Sequence, residues 1–182
     1  MHHRDELLKL LAVKALKRGE FTLASGAKSS YYINGKFCSL DSRGAYLTAR
    51  IMLGLLKDNI PDAVGGLSLG ADPIVGAMLA LAGLEDLELK GFLVRKAQKN
   101  HGTMSMVEGP VCPDDKVVII EDVITTGSSS IKAIQAAEKC GCKIVKVQSV
   151  VDRDEGASEN LAKMGYRLES IFTVEELLDF SG

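Results

Sequence analysis

Apolar positions along this chain fall into two alternating rhythms. Leu7, Leu8, Leu11, Ala15 and Leu16 share one face at helical spacing with charges opposite, which predicts a helix over residues 4–18 stopped by Gly19. Residues 21–34, FTLASGAKSSYYIN, hold strand formers broken by a Ser-Gly turn and predict a short hairpin or extended hood outside the main sheet. Ser42 is placed to cap a helix reaching about Lys57, and Asn59-Ile60-Pro61 ends it. Strands follow at 64–69 and 87–94, with a helix at 73–81 between them. Next come a strand in KVVII, a helix over 128–140, a strand KIVKVQSVVD ending at Asp152, and a helix over 157–164.

Strand alternating with helix predicts βαβ units, hence an α/β protein whose central, mostly parallel sheet is flanked by helices. No repeat or linker interrupts the pattern, so the 182 residues are expected to form a single domain with a hood over about 1–40. Residues 96–113, KAQKNHGTMSMVEGPVCP, fit neither rhythm. A stretch of that length inside a compact domain is usually a lid or an insert, and the cations Arg95, Lys96, Lys99 and His101 suit a lid over an anion.

Composition narrows the field without naming a function. With 46% apolar residues, 25% charged residues and a net charge of −2, the chain resembles an ordinary globular protein, and nothing in the total points to nucleic acid. The longest apolar stretch, 74–84, is too short to span a bilayer. The N-terminus carries Asp5 and Glu6 and lacks the apolar core of a secretory signal, so a cytoplasmic protein is expected. Cys38, Cys112, Cys140 and Cys142 are too few and too scattered for a disulfide framework and are read as reduced thiols.

The chemistry concentrates in residues 116–130, KVVIIEDVITTGSSS. The unbroken apolar run reads as a strand buried on both faces, which puts Glu121 and Asp122 at its carboxyl end, where open α/β sheets bind ligands. The turn that follows holds hydroxyls and Gly127, whose missing Cβ permits a close backbone approach. With the positive end of the next helix behind it, this turn suits a phosphate. The two acids would repel that phosphate, so they are expected to face hydroxyls or a cation a short distance away. A ribose 5-phosphate meets both demands.

VVIIEDVITTGSS resembles the signature of the type I phosphoribosyltransferases, a family that binds phosphoribosyl pyrophosphate (PRPP) with Mg2+ in this loop. FTLASGAKSSYYIN resembles the N-terminal hood of the orotate phosphoribosyltransferases, VRKAQKNHG resembles their catalytic loop, and VDRDEGA resembles the segment that supplies their orotate-binding arginine. The resemblance implies the type I phosphoribosyltransferase fold and transfer of ribose 5-phosphate from PRPP to orotate, giving orotidine 5′-monophosphate and pyrophosphate in pyrimidine biosynthesis.

For individual residues, the resemblance implies that PRPP is bound by Arg95, Lys96, Lys99, His101, Glu121, Asp122, Val123, Ile124, Thr125, Thr126, Gly127, Ser128 and Ser129. Orotate falls to Thr125, Arg153 and Tyr32, and Lys99, His101 and Asp122 carry the catalysis. The residues agree with this chemistry. Orotate is planar and bears a carboxylate, and an arginine fork at a strand end can bind it bidentately. Mg2+ is expected mainly through PRPP, since it prefers substrate oxygens and water to a full protein cage.

The resemblance also implies a homodimer whose lid reaches the partner's active site. Two departures are visible: Ala24 stands where many relatives have a lysine, leaving Lys28 to compensate, and Ile33 stands where many have a second aromatic. Two other readings stay open. A transferase for another base would lack the RKxxKxHG and Arg153 pattern, and a PRPP-sensing regulator would carry a nucleic-acid-binding domain or a basic face.

Overall fold

In the computed structural model, residues 3–22, 26, 28–97 and 106–180 are described. The chain opens with α1 (His3–Leu10), which continues into one wide π turn (Leu11–Ala15) before extending as β1 (Leu16–Thr22). The predicted helix over 4–18 therefore ends early. Leu16, Lys17 and Arg18 pair with Ile33, Tyr32 and Tyr31 of β2 (Lys28–Ile33) in an antiparallel ladder, and Gly19 lies inside the strand. This two-stranded sheet is separate from the main one, as the hood reading expected.

After a short α2 (Lys36–Ser39), α3 (Ser42–Gly54) begins one residue beyond its cap. The cap is Asp41, whose carboxylate accepts hydrogen bonds from the Arg43 and Gly44 N–H groups. Ser42 is the first helical residue. The main sheet then builds from β3 (Ala63–Leu67), α4 (Asp72–Leu84), β4 (Lys90–Val94), β5 (Val107–Glu108), β6 (Lys116–Ile124), α5 (Ser128–Lys139), β7 (Lys143–Asp152), α6 (Ala157–Ala162), β8 (Leu168–Thr173) and α7 (Val174–Phe180). The strand order is β5-β4-β3-β6-β7-β8, all parallel except β5. The sequence reading stopped short of β8 and α7, and it left β5 inside the patternless stretch.

β6 shows why the sheet holds together. Val118 and Ile120 point into the core formed with α1, α3, α4 and α7, where Leu7, Leu47, Met52, Ile74, Met78 and Leu177 are buried. Val117 and Ile119 point the other way, toward Phe92, Ala133, Ile134, Val147 and Leu161 beneath α5 and α6. The strand is covered on both faces, as its unbroken apolar run requires.

The N-terminal segment is tied to the C-terminal one. Arg4 donates to the Ile171 carbonyl (3.0 Å) and pairs with Glu176 (2.5 Å), while Arg18 donates to the Leu178 carbonyl (2.6 Å). Among the described residues no helix is long and apolar enough to cross a membrane. The four cysteines are unpaired.

Candidate active site

From β3 the chain crosses to β4 on one side, and later it returns to build β6 on the other, so the strand order switches direction between β3 and β6. A crevice opens at such a point beyond the carboxyl ends of the strands. Here it is a pocket of about 230 Å³ lined by Lys36, Ser68, Gly70, Lys96, Glu121, Asp122 and Ser129, among others.

Both acids are buried, with Glu121 6% and Asp122 7% exposed. Because β6 alternates, they leave it in different directions. Ser130 Oγ donates to Glu121 Oε2 at 3.4 Å from the α5 side, and Lys36 Nζ lies 3.3 Å from Asp122 Oδ2 on the hood side. Asp122 Oδ1 also accepts from the Val123 N–H at 2.9 Å. Gly70 brings the loop after β3 against them: a Cβ there would lie 2.6 Å from Asp122 Oδ1 and 3.0 Å from Glu121 Oε1. Burial and the neighbouring Asp122 push the Glu121 carboxyl up to about 8, against the weaker opposing pulls of Ser130 and Lys36.

The turn from β6 into α5 passes through Gly127 at φ +80°, a conformation that a side chain would strain. No side chain caps α5, so its first N–H groups face outward from the turn. Asn160 of α6 braces the turn by donating to the Thr126 carbonyl (3.0 Å). Ile124 anchors the next strand end, its carbonyl accepting from the Arg153 N–H at 3.0 Å.

Arg153 is 9% exposed, yet its guanidinium is only partly satisfied. One terminal nitrogen pairs with Glu155 (2.7 Å), the guanidinium carbon lies 5.0 Å from the Tyr31 ring centre, and Nε has no hydrogen-bond partner among the described residues. Asp152 beside it has its carboxyl raised by burial.

Lys96, Glu121, Asp122, Val123 and Ser129 thus meet in one pocket, with Thr125, Thr126, Gly127 and Ser128 forming its adjoining turn. Arg95 lies in a neighbouring crevice, paired with Glu108 at 2.9 Å. Tyr32 is on the face of the hairpin opposite Tyr31, half-exposed and packed on Phe21 with ring centres 5.7 Å apart. Lys99 and His101 lie outside the described residues, as does Ala24. Lys28 lies with Glu20, Ser29 and Ser30 at a separate surface depression.

Three contributors escaped the sequence reading. Lys36 and the Ser68–Gly70 loop carry no local signal, because only the fold brings them to Asp122. Tyr31 could have been found from strand parity, since it shares a face with the buried Ile33.

The phosphoribosyl transferase domain family matches residues 44–179. With this match, the switch-point pocket and the uncapped turn into α5, the chain belongs to the phosphoribosyltransferase family. Its relatives place it more narrowly. It is 44% identical over 176 residues to the orotate phosphoribosyltransferase of Rhodopirellula baltica, covering 93% of this chain and 91% of that one. It is 41% identical over 181 residues to the Aquifex aeolicus orotate phosphoribosyltransferase, covering 98% and 99%. The crystal structure of Mycobacterium tuberculosis orotate phosphoribosyltransferase in complex with PRPP superposes with a TM-score of 0.82 at 32% identity, covering 97% of this chain and 99% of that one. Within the family, the chain is a member of the orotate phosphoribosyltransferases.

Proposed function

We infer that this chain transfers ribose 5-phosphate from PRPP to orotate, giving orotidine 5′-monophosphate and pyrophosphate in pyrimidine biosynthesis in the cytoplasm. The observation that carries the choice of base is Arg153, a buried guanidinium whose Nε has no partner among the described residues, at the strand end beside the PRPP turn. An unpaired buried donor of that kind is costly unless a ligand completes it, and a planar carboxylate has the matching geometry. Thr125 is the neighbouring hydroxyl for the same ring.

The 5′-phosphate belongs in the turn of Thr125, Thr126, Gly127, Ser128 and Ser129, where backbone N–H groups and the α5 dipole favour an anion. Glu121 and Asp122 hold the ribose hydroxyls, and the charge on Asp122 offsets the positive character that the ribosyl carbon gains as its bond to pyrophosphate breaks. Orotate is already an anion, so no covalent enzyme intermediate is needed. Within the stretch 96–113, where Val107–Glu108 belong to the main sheet as β5, the part before β5 acts as the lid over a domain whose hood spans about 1–40. Lys99 and His101 there neutralise the departing pyrophosphate and exclude water.

The donor set fits Mg2+ bound mainly through substrate: Glu121 and Asp122 border the pocket and would hold the ion together with substrate oxygens and water. When bound, the ion supplies charge neutralisation of the pyrophosphate. We also propose a homodimer in which Arg95, Lys96, Lys99 and His101 reach the partner's PRPP. Mixing a lid mutant with an Asp122 mutant tests this, because a shared site regains activity in the mixed dimer and a self-contained one does not.

The primary test is the fall in orotate ultraviolet absorbance on adding protein, PRPP and Mg2+, with uracil, adenine and hypoxanthine as parallel controls. Consumption of orotate alone supports the assignment. Thermal stabilisation by PRPP without consumption of any base would favour a ligand-sensing protein instead.

A further inference from the structure

The hood contributes a cation to the pocket that no motif identifies. Lys36 stands in the first turn of α2, immediately after β2, and its ammonium reaches across to Asp122 Oδ2 at 3.3 Å. Asn34 sets up this turn, its Oδ1 accepting from the Lys36 N–H (3.2 Å), and Gly35 lets the backbone come close, since a Cβ there would lie 3.1 Å from Asp122 Oδ2 and 3.2 Å from Val123 Cγ2. The Lys36 side chain keeps 43% of its surface exposed whereas that of Asp122 keeps 9%, so the lysine is the solvent-facing partner of the pair.

The surroundings define what else Lys36 could hold. Along the same pocket wall run Ser68, Leu69 and Gly70, leading into α4, whose N-terminus has no side-chain cap. Of the acids near this wall outside the Glu121–Asp122 pair, Asp72 is engaged by Ser68 Oγ at 3.0 Å, and Glu108, in the crevice next to Ser68 and Leu69, pairs with Arg95 at 2.9 Å. An anion entering here meets Lys36 and a helix N-terminus. The Gly127 turn meets the pocket through Ser129, at the start of α5, whereas Ser68–Gly70 meet it from the loop after β3.

Given the reading under Proposed function, on which this rests, a sugar held by Glu121 and Asp122 with its 5′-phosphate in the Gly127 turn directs its other end, the pyrophosphate, toward this wall. We propose that Lys36 is a leaving-group-binding residue: it neutralises Asp122 in the empty site and transfers its ammonium to the pyrophosphate when PRPP binds. The exchange keeps one charge-assisted contact for Lys36 in both states, and it frees Asp122 for the ribose as substrate arrives. It also makes the hood, and not the lid alone, part of the leaving-group site.

The test compares wild type, Lys36→Met and Lys36→Arg. For Lys36→Met, kcat/KM for PRPP falls roughly 10- to 100-fold, the scale of one lost hydrogen bond between charged groups, while KM for orotate stays within about twofold. The thermal shift produced by pyrophosphate with Mg2+ is lost, and that produced by ribose 5-phosphate is retained. Lys36→Arg restores most of the pyrophosphate shift. If Lys36→Met keeps the pyrophosphate shift, or loses the ribose 5-phosphate shift equally, Lys36 is only a counter-ion for Asp122 and the proposal is wrong. A wild-type protein that is stabilised by pyrophosphate but turns over no orotate would overturn the assignment of the base and leave this contact standing.

Discussion

Tyr31 lies against Arg153, with the guanidinium carbon 5.0 Å from the ring centre. The contact joins the hood hairpin to the end of β7 and holds the arginine, whose Nε has no hydrogen-bond partner among the described residues. A partly desolvated cation–aromatic contact contributes about 0.5–2 kcal/mol, so Tyr31→Leu is expected to raise KM for orotate roughly 2- to 30-fold with KM for PRPP unchanged. Steady-state kinetics with each substrate varied in turn checks this. Equal rises for both substrates would mean that the ring merely supports the hairpin.

Glu121 should leave a mark on the pH dependence of stability. Its carboxyl is raised from an ordinary 4.5 to about 8, chiefly by burial, so the folded chain holds a proton that the unfolded chain releases between those values. Its contribution to stability is therefore fully present below the unfolded pKa and is lost as pH rises through the folded one. The ligand-free melting temperature is expected to fall between roughly pH 5 and pH 8, and Glu121→Gln, which cannot ionise, is expected to flatten that slope. Thermal melts of both proteins across this range decide it, and identical slopes would remove Glu121 as the cause.

Gly66 fixes the distance between β3 and β6 beside the pocket. A Cβ there would collide with the Ile120 carbonyl oxygen and lie 2.7 Å from Ala71 Cβ, neither of which is a flexible side-chain end. Gly66→Ala is expected to cost about 1–3 kcal/mol of stability, the scale of overpacking in a close-packed core. Denaturant titration measures it. Wild-type stability in the variant would show that the two strands separate freely here.

Lys99→Ala is expected to lower turnover roughly a hundredfold, the scale of losing one group that stabilises developing charge. Turnover within threefold of wild type would remove Lys99 from the leaving-group site and shift that work toward Lys36.

The sequence revealed the elements whose signal is local. β6 announced itself because both of its faces are buried, and the turn into α5 because a glycine among hydroxyls follows a strand. The errors came where tertiary pairing overrode local rhythm. Leu16 continues the helical spacing of Leu7 and Leu11, yet it pairs with Ile33 as a strand, and no local feature distinguishes the two outcomes. Asp41 took the cap expected of Ser42 because the two are adjacent and both cap well. Lys36 was silent for a different reason: 86 positions separate it from Asp122, so only the completed fold makes them neighbours.

The arginine ties between the first and last segments have a consequence for cooperativity. Arg4 fastens α1 to β8 and α7, and Arg18 fastens β1 to the Leu178 carbonyl. The hairpin that carries Tyr31 is thus moored to the far end of the chain as well as to its own neighbours. In native-state hydrogen exchange, the amides of β1, β2 and α7 should open together as one unit, and loosening the last helix by Arg18→Ala should be felt at the orotate end of the pocket.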